Sequence, residues 1–109
     1  MRDFSFDQAS ASALLENLAS PVRLEIVRML MEGEMAVTKI AVSLNMSQSA
    51  ISQHLRRLRD GAVVQTRRDA QMIFYSLPED SCMSTLLAVL DAAVRSRGDV
   101  LATRHQEAA

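Results

Sequence analysis

Between Ser47 and Gln71 the sequence gathers side chains that donate and accept hydrogen bonds and carry positive charge. Gln48, Ser49, Ser52, Gln53, Arg56 and Arg57 recur at helical intervals, and Arg67-Arg68 follow a short distance on. This is recognition chemistry, not bond-making chemistry. Gln, Ser and Arg side chains can pair with base edges in a DNA major groove, and a paired-arginine loop suits phosphates or the minor groove. On their own the six helix residues equally fit an ordinary solvated face. A basic ribbon placed directly after such a face is what favours recognition.

Two elements must hold these groups. Ile51, Leu55 and Leu58 fall at i, i+4 and i+7, the apolar period of a helix, with Ser47 as its N-cap and Gly61 in the place of a C-terminal cap. Val63-Val64-Gln65-Thr66 and Met72 to Leu77 are rich in β-branched and aromatic residues and flank Arg67-Arg68-Asp69-Ala70, predicting a two-stranded ribbon over 62–77 with a charged tip. Upstream, Thr38 reads as the cap of a helix through Leu44, with Ile40, Ala41 and Leu44 inward and a tight Asn45-Met46 turn. Residues 38–60 therefore read as a helix-turn-helix. In that arrangement the first helix crosses the backbone of the duplex, so Thr38 and Lys39 face phosphate; for Lys39 a solvated surface charge is an equal alternative.

The rest of the chain frames this unit. A helix is expected over 8–18, with Leu14, Leu15 and Leu18 on one side, and a second from Ser20-Pro21 to Glu32 ended by Gly33. Residues 34–37 leave room only for a bridging strand. A last helix over 81–97 carries Met83, Leu86, Leu87, Leu90, Ala93 and Val94 on one face and is closed by Gly98. Residues 1–7 and 99–109 read as mobile tails. The expected fold is one domain over 1–109, mostly α with a small β-hairpin wing, in the order α-α-β-α-α-β-β-α.

Composition limits the function classes. With 109 residues, 49% apolar, the chain can bury one real core, and only 4% aromatic residues leave that core to Leu, Val, Ile, Ala and Met. The seven methionines read as gap-fillers and an initiator. No apolar run approaches the roughly 20 residues of a membrane span and no signal peptide opens the chain, so a cytoplasmic protein is expected. A single Cys82 excludes an internal disulfide. Three glycines, two histidines and that cysteine, all dispersed, supply no nucleophile–base pair, metal cluster or phosphate loop, so no enzyme and no cofactor is expected.

The net charge of −1 argues at first against a nucleic-acid partner. Its distribution argues the other way. Arg56, Arg57, Arg59, Arg67 and Arg68 stand against only Asp60 and Asp69 in residues 47–71, while the rest of the chain carries seven basic and eleven acidic groups. So small a positive surplus grips DNA weakly in one copy. The apolar stripes of the terminal helices exceed what one small core covers. Both points favour a homodimer through residues 8–18 and 81–97, with Leu14, Leu15, Leu18, Met83, Leu86, Leu87, Leu90 and Val94 at its interface; closure of both stripes over the monomer's own core is the alternative.

The run SQSAISQHLRRLRDGAVVQTRRDAQMIFYSL, Ser47 to Leu77, resembles the ArsR/SmtB family of bacterial winged-helix regulators, and within it the NolR/HlyU-like branch. The similarity extends over residues 12–95 and is strongest over 34–77. It implies a homodimeric repressor that binds imperfect palindromes in promoters, with residues 47–60 as recognition helix and 62–77 as wing, and many members release DNA when an effector arrives. His54 recurs in the family's recognition helix and reads here as a helix-packing residue. Metal-sensing members carry paired cysteines where this chain has Met35-Ala36-Val37-Thr38-Lys39, and others use Asp and His along the last helix, where only Asp91 falls inside and Asp99 and His105 lie beyond. Thiolate and imidazole donors are what zinc or soft metals need, so no metal site is expected. The redox branch uses two cysteines, one in the second helix and one in the last. Arg28 stands at the first position, and Cys82 lies too early for the second.

The expected function is sequence-specific, palindromic recognition of double-stranded DNA by a homodimer, Ser47, Gln48, Ser49, Ser52, Gln53, Arg56, Arg57, Thr38, Arg67, Arg68 and Gln71 being the DNA-binding set. The alternatives are a protein-interaction or RNA-binding winged helix, or a redox-responsive regulator acting through Cys82. Neither the operator nor the effector is written in these residues. At the wing tip, Asp69-Ala70 replaces the family's acidic-Gly turn, which leaves the tip geometry open.

Overall fold

In the computed structural model, residues 4–108 are described, side chains as far as residue 98. The order is α1 (Gln8–Leu18), α2 (Pro21–Leu30), β1 (Met35–Ala36), α3 (Val37–Leu44), α4 (Gln48–Asp60), β2 (Gln65–Asp69), β3 (Met72–Ser76) and α5 (Met83–Ala108). This is the α-α-β-α-α-β-β-α order that the sequence predicts.

Local chemistry starts most of the helices. Asp7 accepts from the Ser10 amide at 3.0 Å ahead of α1. Ser20 accepts from the Arg23 amide at 3.2 Å, with Pro21 as first helical residue of α2, and Ser47 accepts from the Ala50 amide at 3.1 Å. Each satisfies one of the orphan N–H groups of a first turn. Helix α3 is the exception. Its cap is Ala36, without a side-chain bond, and Thr38 lies inside the helix, so Thr38 is not the expected cap. Ala36 already pairs with Phe74 of β3, and the chain passes from that strand directly into the helix.

The three-stranded sheet has the order β1-β3-β2, antiparallel throughout, with Met35 opposite Tyr75 and Arg67 opposite Phe74. Ile26, Val27, Ile40, Ile51, Leu55 and Leu58 are fully buried, tying α2, α3 and α4 into one core, with Leu18, Val63, Val64 and Met83 around them. Each such aliphatic side chain contributes about 1.5–3 kcal/mol over leaving it in water.

Two further helices differ from expectation at their ends. Helix α2 stops at Leu30, and Met31 and Glu32 form a turn before Gly33, whose φ of 147° suits glycine. The last helix starts at Met83, with Ser81 Oγ accepting from its amide at 3.1 Å, and runs through Gly98 to Ala108. A lone glycine costs a helix about 1 kcal/mol and does not by itself end it, and no proline follows. Residues 99–108 are thus helical rather than a tail, while the parts of the expected tails at 1–3 and 109 lie outside the described residues.

Gly61 ends α4 as expected. It caps α4 at φ −85°, and the left-handed residue is Ala62, at φ 58°. Glycine is needed at 61 for space. A Cβ there would stand 2.6 Å from Asn17 Nδ2 and 2.9 Å from its Cγ.

Candidate nucleic-acid interface

Helix α4 is split lengthwise. Ile51, Leu55 and Leu58 are at 0% exposure, while Gln48, Ser49, Ser52, Gln53, Arg56 and Arg57 are all exposed. Burial of the first stripe fixes the rotation of the helix about its axis, and that rotation aims the second outward. Between α3 and α4 the chain turns through Asn45, left-handed at φ 52° and ψ 46°, whose amide and that of Met46 bond back to the end of α3. Asn tolerates this conformation better than most residues. Thr38 and Lys39 are exposed on α3, and Ser47 is exposed with its Oγ engaged as cap.

The far end of α4 is held by residues that the sequence reading did not single out. Asn17 of α1 donates from Nδ2 to the Arg57 carbonyl at 2.6 Å, and its own backbone carbonyl accepts from Arg23 Nε at 2.6 Å. Asn17 Oδ1 is buried without a hydrogen-bond partner. Arg23 also places its guanidinium 3.2 Å from His54 Nδ1. An arginine can only donate, so this contact requires an unprotonated Nδ1. Burial, followed by the charges of Arg23 and Arg57, pushes the His54 imidazole below its ordinary pKa. His54 is the helix-packing residue its position suggests. A polar Asn17 near the buried end of an Ala- and Leu-rich helix was the available signal; Arg23 had none.

In the wing, Gln65 to Asp69 pair in register with Ser76 to Met72, leaving Ala70 and Gln71 as a two-residue tip. At this tip Ala70 takes a positive φ of 56°. Arg67 and Arg68 emerge on opposite faces of β2, as strand geometry demands. Their surroundings differ. Arg67 forms a two-bond pair with Glu34, Nε to Oε2 at 3.1 Å and Nη2 to Oε1 at 2.6 Å, and its guanidinium carbon lies 4.7 Å from the centre of the Phe74 ring. Arg68 and Gln71 are exposed, and among the described residues no carboxylate lies within 4.0 Å of Arg68.

The expected interface residues of the terminal helices separate into two groups. Leu18 and Met83, at 4% and 8% exposure, belong to the chain's own core, so they are not available to a partner. They face inward with the α2–α4 core, and Leu14, Leu86 and Leu87 of the same helices pack beside them. Leu15 and Val94 are 58% and 65% exposed, joined by Val89 at 60%, which the sequence reading left out. Leu14, Leu86 and Leu87 are half-buried at the edge of the core. Leu87, Leu90 and Val94 also line, with Leu24 and Met31, an open apolar groove of about 600 Å³ between α2 and α5.

Cys82 is exposed. Arg28, where the redox branch has a cysteine, is paired with Glu25, and Asp91 with Arg95 at 3.2 Å. No cluster of three or more metal-ligating side chains occurs among the described residues, and no described helix is long and apolar enough to cross a membrane.

Comparison with known proteins places this geometry. The sequence profile for "Bacterial regulatory protein, arsR family" matches residues 20–66. The chain is 45% identical over 85 residues to the nodulation protein NolR of Rhizobium meliloti, covering 78% of this chain and 70% of that protein. It is 40% identical over 77 residues to the transcriptional activator HlyU of Vibrio cholerae, covering 71% of each. Among solved structures, a homodimeric winged helix-turn-helix DNA-binding domain from Mycobacterium bovis superposes with a TM-score of 0.70 at 28% identity, over 87% of this chain and 91% of that one.

Proposed function

The chain belongs to the arsR family of bacterial regulatory proteins and has the winged helix-turn-helix fold, and on that premise we propose that it is a sequence-specific transcriptional regulator that binds a palindromic promoter operator as a homodimer. The observation that carries this reading is the division of α4 into a fully buried apolar stripe and an exposed Gln/Ser/Arg stripe. A helix so held presents its donors and acceptors in a fixed orientation, which base readout requires. Like its named relatives it is read as a regulator and not as an enzyme, working in the cytoplasm, where bacterial DNA is found.

Roles follow from position. Gln48, Ser49, Ser52 and Gln53 lie on the N-terminal turns of α4, the part that meets base edges in helix-turn-helix proteins. Arg56 reaches a guanine or a phosphate. Arg57, Thr38, Ser47 and, on the wing, Arg68 and Gln71 contact the backbone. Leu14, Leu15, Leu86, Leu87, Leu90 and Val94 meet a second copy, which sets the two reading helices about one turn of DNA apart, roughly 34–36 Å. The homodimeric Mycobacterium bovis domain supports assembly as a homodimer. No metal or dithiol trigger is assigned. The positions those triggers use elsewhere in the family hold Met35 to Lys39, Arg28 and Asp91, the latter two already in ion pairs. Repression is the favoured outcome, and its sign depends on where the operator lies relative to the promoter.

The test is titration of the protein with a palindromic duplex and with a scrambled one at several salt concentrations. The reading predicts tighter binding to the palindrome, a steep linear fall of log K with log salt, and two protomers per duplex. Equal, salt-independent binding to both duplexes would sink it.

A further inference from the structure

We propose that Glu34 and Arg67 form a strut that fixes the wing to the body of the domain, so that Arg67 is a positioning residue and Arg68 alone is the wing's phosphate-binding cation. The inference rests on the DNA-binding reading and refines it. In sequence the two arginines are indistinguishable, adjacent members of one basic loop. In the fold they are not.

Glu34 sits in the turn between α2 and β1, and its carboxylate receives both Nε and Nη2 of Arg67, at 3.1 and 2.6 Å. Fork-to-fork pairing of this kind fixes direction as well as distance. Phe74, directly across the ladder from Arg67, lies under the guanidinium at 4.7 Å, so a second contact holds the same group in the same place. The two ends of the strut belong to different parts of the molecule, the turn that ends α2 and the outer strand of the wing. β2 pairs only with β3 within the sheet, so the strut gives this outer strand a direct tie to the turn after α2.

An exposed ion pair adds little stability. What this one supplies is orientation and neutralisation. Arg67 and Glu34 together carry no net charge to exchange for counter-ions on a phosphate. Arg68 points to the opposite face and has no carboxylate within 4.0 Å among the described residues.

The test uses the full chain and a mixed-sequence duplex long enough for one dimer, titrated across a salt series, so that no operator need be known. Arg68→Ala is expected to weaken binding several-fold and to lower the salt slope by about one per wing, whereas Arg67→Ala leaves the slope unchanged. Arg67→Glu alone places two carboxylates together, releases the wing and weakens binding. The exchanged pair, Glu34→Arg with Arg67→Glu, rebuilds the strut and returns affinity to within about threefold of the parent, since a strut works in either polarity and a phosphate contact does not. The strut is overturned if Arg67→Ala lowers the slope as Arg68→Ala does, or if the exchanged pair binds no better than Arg67→Glu. Failure of the parent protein to bind any duplex would instead overturn the DNA-binding reading itself.

Discussion

The reading helix and the wing are held by opposite means. Helix α4 is anchored by three side chains at 0% exposure, by Arg23 against His54 at its middle and by Asn17 at its far end. The hairpin joins the body through β3, which pairs with β1, while its outer strand β2 has only Thr66 partly covered and is tied directly to the body by one surface ion pair. A base reader must be preorganised to within a fraction of an ångström, which core packing provides. A backbone contact tolerates more play, and a surface tie suffices for it. The difference predicts that damage to the helix support is expensive and disturbs specificity, while damage to the wing is cheap and disturbs affinity alone.

The largest effect should come from Leu55→Ala. It empties a fully buried site beneath α4 and should cost about 2–5 kcal/mol in urea unfolding, with loss of duplex binding in parallel. A cost near zero would mean that α4 is not held by its buried stripe. Next comes Gly61→Ala, whose Cβ would press on Asn17 at 2.6 Å. It should destabilise by about 1–3 kcal/mol. Adding Asn17→Ala should then cost less than Asn17→Ala does in the parent, because the clash partner is gone. Strict additivity of the two changes would count against the clash.

Acid should act on the same support. The His54 pKa is lowered in the folded chain, so the unfolded chain binds the proton more readily and stability falls as pH drops below the ordinary value of 6.5. The fall levels off once pH is under the folded value. In thermal unfolding between pH 7.5 and pH 5, His54→Gln should show a smaller loss than the parent; an equal loss would assign the acid sensitivity to other groups. The smallest effect belongs to the wing. Ala70→Gly relieves a left-handed alanine at φ 56° and should stabilise by about 0.5–1 kcal/mol without changing sequence preference. Destabilisation there would mean that the tip does not need this conformation.

The same contrast explains what could be read from the sequence. The α4 stripe, the Ser47 and Ser20 caps and the bridging strand are local patterns, set by period and by first-turn chemistry, and they were legible. Gly61 was legible as an end signal but not in its reason, since the group that demands glycine is Asn17, more than forty residues away. Thr38 has the right type for a cap, yet strand pairing at Ala36 starts the helix earlier. The split of Leu18 and Met83 from Leu15 and Val94 depends on where α1 and α5 cross the core, which stripes alone do not encode. The Glu34–Arg67 pair joins residues 33 apart in sequence and left no local trace.

The most direct test of the central claim is a specificity measurement. Duplexes bound by the parent protein are selected from a random pool, and the recovered operator and a scrambled duplex are titrated with the parent, Gln53→Ala and Arg68→Ala. The account predicts that Gln53→Ala loses about 1–3 kcal/mol on the operator and relaxes preference at one base pair per half-site, while Arg68→Ala weakens both duplexes alike. Undiminished preference in Gln53→Ala, with preference lost in Arg68→Ala, would place base reading in the wing and contradict it.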